Sequence, residues 1–175
     1  MKILFAGGGT AGHINPALAI AGYIKERHPD TEIYYVGTAD KLEARLVPEK
    51  GYDFRTIDVA GFQRKISLKN IYRNIKAAGK AVSSSIKSKK ILREIKPDIV
   101  VGTGGYVSGP VLREAERMGI KTAIHEQNAY PGVTTKMLAA KADRVMLAMP
   151  EAEKYLKLTK KPYITGNPVR VEVLK

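Results

Sequence analysis

In "FAGGGTAGHINPALAIAGYI" (5–24), Gly7-x-Gly9-x-x-Gly12 has the spacing of a dinucleotide-binding fingerprint, and His13 follows at once. Glycines permit φ > 0 and close backbone approach, and a helix N-terminus offers free N–H groups to an anion. The loop therefore reads as a phosphate cradle, or as a tight turn with no ligand. A histidine beside an anion site suits general-base work or a hydrogen bond to phosphate, although a lone histidine is often structural. A second glycine-rich turn, "GTGGYVSGP" (102–110), suits a ligand with more than one phosphate, or close helix–sheet packing. His125, Glu126, Gln127 and Asn128 form a polar cluster after an apolar run. Such a cluster either contacts a ligand or caps and braces neighbouring loops. The dinucleotide reading also requires an acidic residue at the end of the second strand to hold a ribose. Here "YYVGTAD" ends in Val36-Gly37-Thr38, with Asp40 arriving late, so a nucleotide-cofactor oxidoreductase is the weaker alternative.

Short apolar runs at 2–6, 32–37, 54–59, 98–102, 121–126, 144–148 and 162–165 read as strands, several apolar throughout as in parallel sheets covered on both faces. Helices are expected near 15–27, 40–50, 68–94, 108–118, 131–141 and 151–157, the first opening with Asn15 as N-cap and Pro16 at the first helical position. This alternation predicts one doubly wound, Rossmann-like α/β domain. The glycine loops and the histidine cluster then all leave carboxyl ends of strands, where such sheets bind ligands.

The chain has 175 residues, enough for one sizeable core, and no cysteine, which excludes disulfides and thiolate metal sites and fits a reducing compartment. Its three histidines are too few for a histidine-rich metal site, and no metal is expected. The net charge of +13 is local: ten basic residues and no acid lie between Val59 and Arg93. Such an excess points to an anionic partner. Ile71, Ile75, Ala78, Val82 and Ile86 recur there at helical spacing. They form either a core-facing stripe with a solvated basic face, or, with Phe62 and Ile66, an apolar strip for an anionic membrane flanked by Lys69, Arg73, Lys76 and Lys80. Aromatic residues are too sparse in the segment for nucleic acid to be the expected partner.

Four motifs, "GGGTAGHINPALAIA", "GTGGYVSGPVL", "HEQNAYPGVTTKML" and "ITGNPVR", resemble in order and spacing the N-terminal half of the MurG family of bacterial N-acetylglucosamine transferases, from Lys2 to Arg170. The resemblance implies the N-terminal half of a glycosyltransferase-B architecture: an acceptor-binding, membrane-associating domain over 1–166, the start of an interdomain linker over 167–175, and a UDP-sugar-binding domain beyond. It implies inverting transfer of N-acetylglucosamine from UDP-N-acetylglucosamine to lipid I, the undecaprenyl-pyrophosphoryl muramyl-pentapeptide. That reaction would take place without a cofactor, at the cytoplasmic face of the cell membrane. The isolated domain is expected to be inactive, and a membrane-docking subunit of a two-chain glycosyltransferase is the alternative. By position, Thr10, Ala11, Gly12, Asn128 and Arg170 would touch the UDP-sugar, and Gly104, Gly105, Tyr106 and His125 would face the acceptor. His13 would be the base, with Glu126 as second choice. The family usually has glycine at the position of Ala11 and often asparagine at that of Thr135.

Overall fold

A computed structural model describes residues 1–60 and 68–169, with 68–78 by backbone alone. Seven parallel strands form one sheet: β1 (Lys2–Gly7), β2 (Glu32–Gly37), β3 (Asp53–Thr56), β4 (Ile99–Gly104), β5 (Lys121–Glu126), β6 (Arg144–Leu147) and β7 (Tyr163–Ile164). Their spatial order is β3-β2-β1-β4-β5-β6-β7, the expected doubly wound arrangement. Among the described residues five α-helices intervene: α1 (Ala11–Arg27), α2 (Glu43–Glu49), α3 (Leu68–Ile95), α4 (Ser108–Arg117) and α5 (Val133–Leu138). The last expected helix is a short 3-10 turn, Pro150–Tyr155.

The continuous apolar runs have their physical reason in two separate core layers. On β1, Leu4 and Ala6 pack with Leu92, Ile95, Leu112 and Val111 from α3 and α4. Ile3 and Phe5, alternating with them in sequence, pack on the opposite face with Ile14, Ala17, Leu18 and Val47 from α1 and α2. Both faces of the central strands are thus covered, so alternation with polar residues is absent there.

The strand order reverses between β1 and β4, and their register shifts between Ala6 and Gly7. The two glycine-rich loops leave the sheet side by side at this reversal, the place where open α/β sheets bind ligands.

The start of α1 corrects the expected Asn15 cap. The helix begins at Ala11, with Thr10 in an extended N-cap conformation whose carbonyl accepts the N–H groups of His13 (3.1 Å) and Ile14 (3.2 Å). Pro16 lies inside the helix. Ala11, Gly12 and His13 therefore form its first turn, directly against the glycine loop. Ala11 is not among the residues with positive φ, so its Cβ brings no left-handed strain.

Candidate active site at the strand-order reversal

A cleft of about 540 Å³ opens over the ends of β1, β2 and β4, lined by Gly9, Thr10, His13, Gly105 and Tyr106 together with Lys41 and Lys80. Its walls depend on residues without side chains. Gly104 has φ +109°, and a Cβ there would stand 2.5 Å from Nδ1 of His13. Gly105 has φ +78°, and a Cβ there would stand 2.3 Å from the Gly8 carbonyl oxygen. Both positions demand glycine twice over, by conformation and by space. Ser108, at the head of α4, fixes the second loop: its hydroxyl accepts the Gly104 N–H at 3.1 Å and lies 2.7 Å from the Ala6 carbonyl.

His13 is half-buried and held at two points by Thr103, the buried penultimate residue of β4. The Thr103 hydroxyl donates to the His13 carbonyl (2.7 Å), and the Thr103 carbonyl lies 3.1 Å from Nδ1 of His13. Oε1 of Gln127 lies 3.4 Å from the same Nδ1. The amide orientation of Gln127 follows from its other end, where Nε2 donates to the His125 carbonyl at 3.0 Å. Both neighbours of Nδ1 are therefore acceptors, which requires His13 to carry its proton on Nδ1 when neutral. Among the described residues no group bonds Nε2, whose lone pair is left for the cleft.

His125 contrasts with it. It is buried, its Nε2 lies 3.1 Å from the Gly166 carbonyl, and Nε2 of Gln127 lies 3.0 Å from its Nδ1. Its Nε2–H donates to Gly166 and its Nδ1 accepts from Gln127, so both nitrogens are committed. Burial pushes its pKa below the ordinary value, against the opposing pull of the Gly166 carbonyl and the Glu126 charge.

Glu126 is also buried, and its carboxylate accepts four hydrogen bonds: from the N–H and side-chain amide of Asn128 (3.0 and 2.8 Å), the N–H of Gly132 (3.1 Å) and the hydroxyl of Thr135 (2.6 Å). The capping alternative is the one this geometry matches. Thr135 has a contact, but it points inward to that carboxylate. Asn128 remains exposed at the rim, and Thr134 donates to the Gly105 carbonyl at 3.2 Å, tying this loop to the second glycine loop.

Thr10, Ala11, Gly12, His13, Gly104, Gly105 and Tyr106 thus converge at the strand reversal, and His125, Glu126 and Asn128 lie on the next strand end. Arg170, Phe62 and Ile66 lie outside the described residues, as do the side chains of Lys69, Ile71, Arg73, Ile75 and Lys76 on α3. Lys80 lines the cleft. Farther along α3 the core-facing expectation fails for Val82 and Ile86, which are 63% and 68% exposed, while Ser84, Ser88, Leu92 and Ile95 are buried. The buried face of α3 thus carries Ser84 and Ser88 as well as Leu92 and Ile95, and Val82 and Ile86 lie off it.

Sequence reasoning missed Thr103, Gln127 as a bridge, and Glu43, a buried carboxylate beneath the first glycine loop. The threonine set inside the Gly102–Gly105 glycine run was the available signal for the first. Among the described residues no group of three His, Asp or Glu side chains is placed to hold a metal ion, and no helix is long and apolar enough to cross a membrane.

Residues 3–147 match the N-terminal domain of glycosyltransferase family 28. The chain belongs to that family. It is 52% identical, over all its 175 residues and 46% of the relative, to the UDP-N-acetylglucosamine–N-acetylmuramyl-(pentapeptide) pyrophosphoryl-undecaprenol N-acetylglucosamine transferase of Acetivibrio thermocellus. The Ruminiclostridium cellulolyticum protein of the same name is 51% identical over 99% of this chain and 47% of its own length. The crystal structure of Acinetobacter baumannii MurG superposes with a TM-score of 0.77 at 28% identity, over 99% of this chain and 47% of that one. This family 28 chain therefore spans about half the length of the curated relatives it matches, and its sheet is that of a glycosyltransferase-B N-terminal half.

Proposed function

We propose that this family 28 domain is the acceptor side of an inverting transferase that moves N-acetylglucosamine from UDP-N-acetylglucosamine to lipid I, forming lipid II. Residues 1–166 are the domain and 167–175 begin the linker to a UDP-sugar-binding half. The observation that carries the reading is His13: an imidazole with Nδ1–H engaged and Nε2 unpartnered among the described residues, in a cleft at the strand reversal. Nε2 takes the proton of the muramyl C4 hydroxyl as its oxygen attacks the anomeric carbon of the donor sugar. The bond from that carbon to the UDP oxygen breaks, and UDP leaves with the electron pair. Glu126, whose carboxylate already accepts four hydrogen bonds, serves as a brace instead.

Thr10, Ala11 and Gly12 face the UDP-sugar from the N-terminus of α1, with Asn128 and Arg170 at the rim. That turn has no acidic residue and no side-chain cap, so its dipole favours the negative charge gathering on the departing diphosphate. Gly104, Gly105, Tyr106 and the loop held by His125 face the acceptor. The test is labelled transfer to lipid I by this chain completed with the C-terminal half of the Acetivibrio thermocellus relative. His13→Ala lowers kcat by roughly 10²–10⁴-fold, the usual contribution of a positioned general base, with little change in KM for UDP-N-acetylglucosamine. Near-normal turnover excludes His13 as the base.

The same reading places the domain on the anionic cytoplasmic face of the cell membrane. Exposed Val82 and Ile86, on a helix face with exposed Lys87, Lys89 and Lys90, support it. The chain floats with vesicles rich in anionic lipid, and the double change Val82→Glu with Ile86→Glu lowers the floated fraction several-fold. Equal flotation of both proteins removes this membrane face.

A further inference from the structure

The first residue of α2, Glu43, is fully buried beneath the glycine loop. Its Oε2 accepts the Gly9 N–H at 3.1 Å, and its Oε1 accepts the Thr38 N–H at 3.1 Å and the Thr38 hydroxyl at 2.9 Å. Two glycines make room for it: a Cβ on Gly8 would stand 2.2 Å from Oε1, and a Cβ on Gly37 would stand 2.5 Å from Cγ. The loops after β1 and β2 are therefore wrapped around one carboxylate of the chain itself.

In a fingerprint loop the backbone amides and the helix N-terminus are what receive a cofactor's pyrophosphate. Here the Gly9 amide already donates to an anion. A pyrophosphate oxygen seeking that amide would also approach a buried carboxylate, where charge repulsion is poorly screened. Burial, and after it the nearby Glu43 carboxylate, push the phenol of neighbouring Tyr35 above its ordinary pKa.

We propose that Glu43 is a built-in anion of the glycine loop. It takes the Gly9 amide that a dinucleotide pyrophosphate would take, holds the loop in shape without ligand, and makes the loop refuse such a cofactor. Glu43 is thus a positioning residue for Thr10, Gly12 and His13, and it reaches substrate only through them. The inference deepens the transferase reading, which supplies only what those residues face. Its test does not require transfer activity, so the two can fail separately.

The experiment uses the ¹⁵N-labelled chain and inorganic pyrophosphate. Without ligand, the Gly9 and Thr38 amides exchange with deuterium slowly, and pyrophosphate leaves the Gly9 exchange rate unchanged. In Glu43→Gln, the side-chain oxygen still accepts from Thr38, but its NH₂ meets the Gly9 N–H donor to donor. Protection of Gly9 then falls at least tenfold, that of Thr38 persists, and added pyrophosphate restores the protection of Gly9. Gly8→Ala, which drives the carboxylate out without changing its charge, exposes Gly9 in the same way. The proposal is overturned if Gly9 of the unaltered chain exchanges like an open amide, or if a folded Glu43→Gln protein keeps the Gly9 protection unchanged. Should neither variant fold, exchange of Gly9 in the unaltered chain decides alone.

Discussion

The loop after β1 and the loop after β5 are each arranged around a histidine and a buried carboxylate, the first with its carboxylate, Glu43, supplied by α2, yet they use them differently. After β5, both nitrogens of His125 and both oxygens of Glu126 are engaged within the protein. After β1, Glu43 is likewise engaged, but His13 commits only Nδ1. Gln127 joins the two, bonded to His125 at one end and reaching His13 at the other. The lesson concerns remaining hydrogen-bond capacity. A polar residue at the end of a strand becomes available for chemistry only where its partners stop short of saturating it. By that measure the β5 loop is a frame, and the β1 loop is the part the frame holds.

The largest expected effect tests that frame. Glu126→Ala leaves four donors without their acceptor: the N–H and side-chain amide of Asn128, the Gly132 N–H and the buried Thr135 hydroxyl. Each buried donor left unpaired costs about 1–3 kcal/mol, and water can reach part of this exposed loop, so unfolding free energy in urea drops by roughly 3 kcal/mol. Glu43→Ala strands fewer donors, and exposed Gly9 can turn to water, so its loss is about 2 kcal/mol. The reverse order would break the comparison and make the β1 loop the more tightly framed of the two.

The strand alternation, the parallel sheet and the ligand end of the fold were legible because buried strands and amphipathic helices write their periods directly into the chain. The glycine loops and His13 were legible for a related reason, since tight turns next to a strand admit few residue types. Asn15-Pro16 misled because its local capping pattern lost to Thr10, whose carbonyl starts the helix against the loop. Glu43 was invisible: "KLEARLVPEK" reads as a solvated helix, and only the packing of α2 under Gly8 and Gly37 buries its first glutamate. Glu126 was visible but ambiguous, because a sequence shows that a carboxylate is present and not how many donors surround it. The outward turn of Val82 and Ile86 was hidden likewise, since helical spacing gives the faces of α3 without saying which one meets the core.

The smallest expected effect is a pH dependence carried by His125. Its pKa is depressed by burial, with the Gly166 carbonyl and the Glu126 charge opposing, whereas an unfolded histidine titrates near 6.5. As pH falls, the unfolded chain therefore binds its proton first. The contribution to stability is fully present above about pH 6.5 and is lost as pH drops through 6.5 to the lower folded value. Urea midpoints of the chain and of His125→Gln, followed from pH 7.5 to 5, isolate this histidine, because His13, His28 and the carboxylates are common to both. The difference between the two shrinks on acidification, and a constant or growing difference would mean that His125 is not held neutral. The same titration reaches His13. A proton on Nδ1 of His125 would face the donating amide of Gln127, and turning that amide over would set its NH₂ against the Nδ1–H of His13. A neutral His125 is thus what lets Gln127 face His13 as an acceptor, so acid should loosen the frame before it unfolds the sheet.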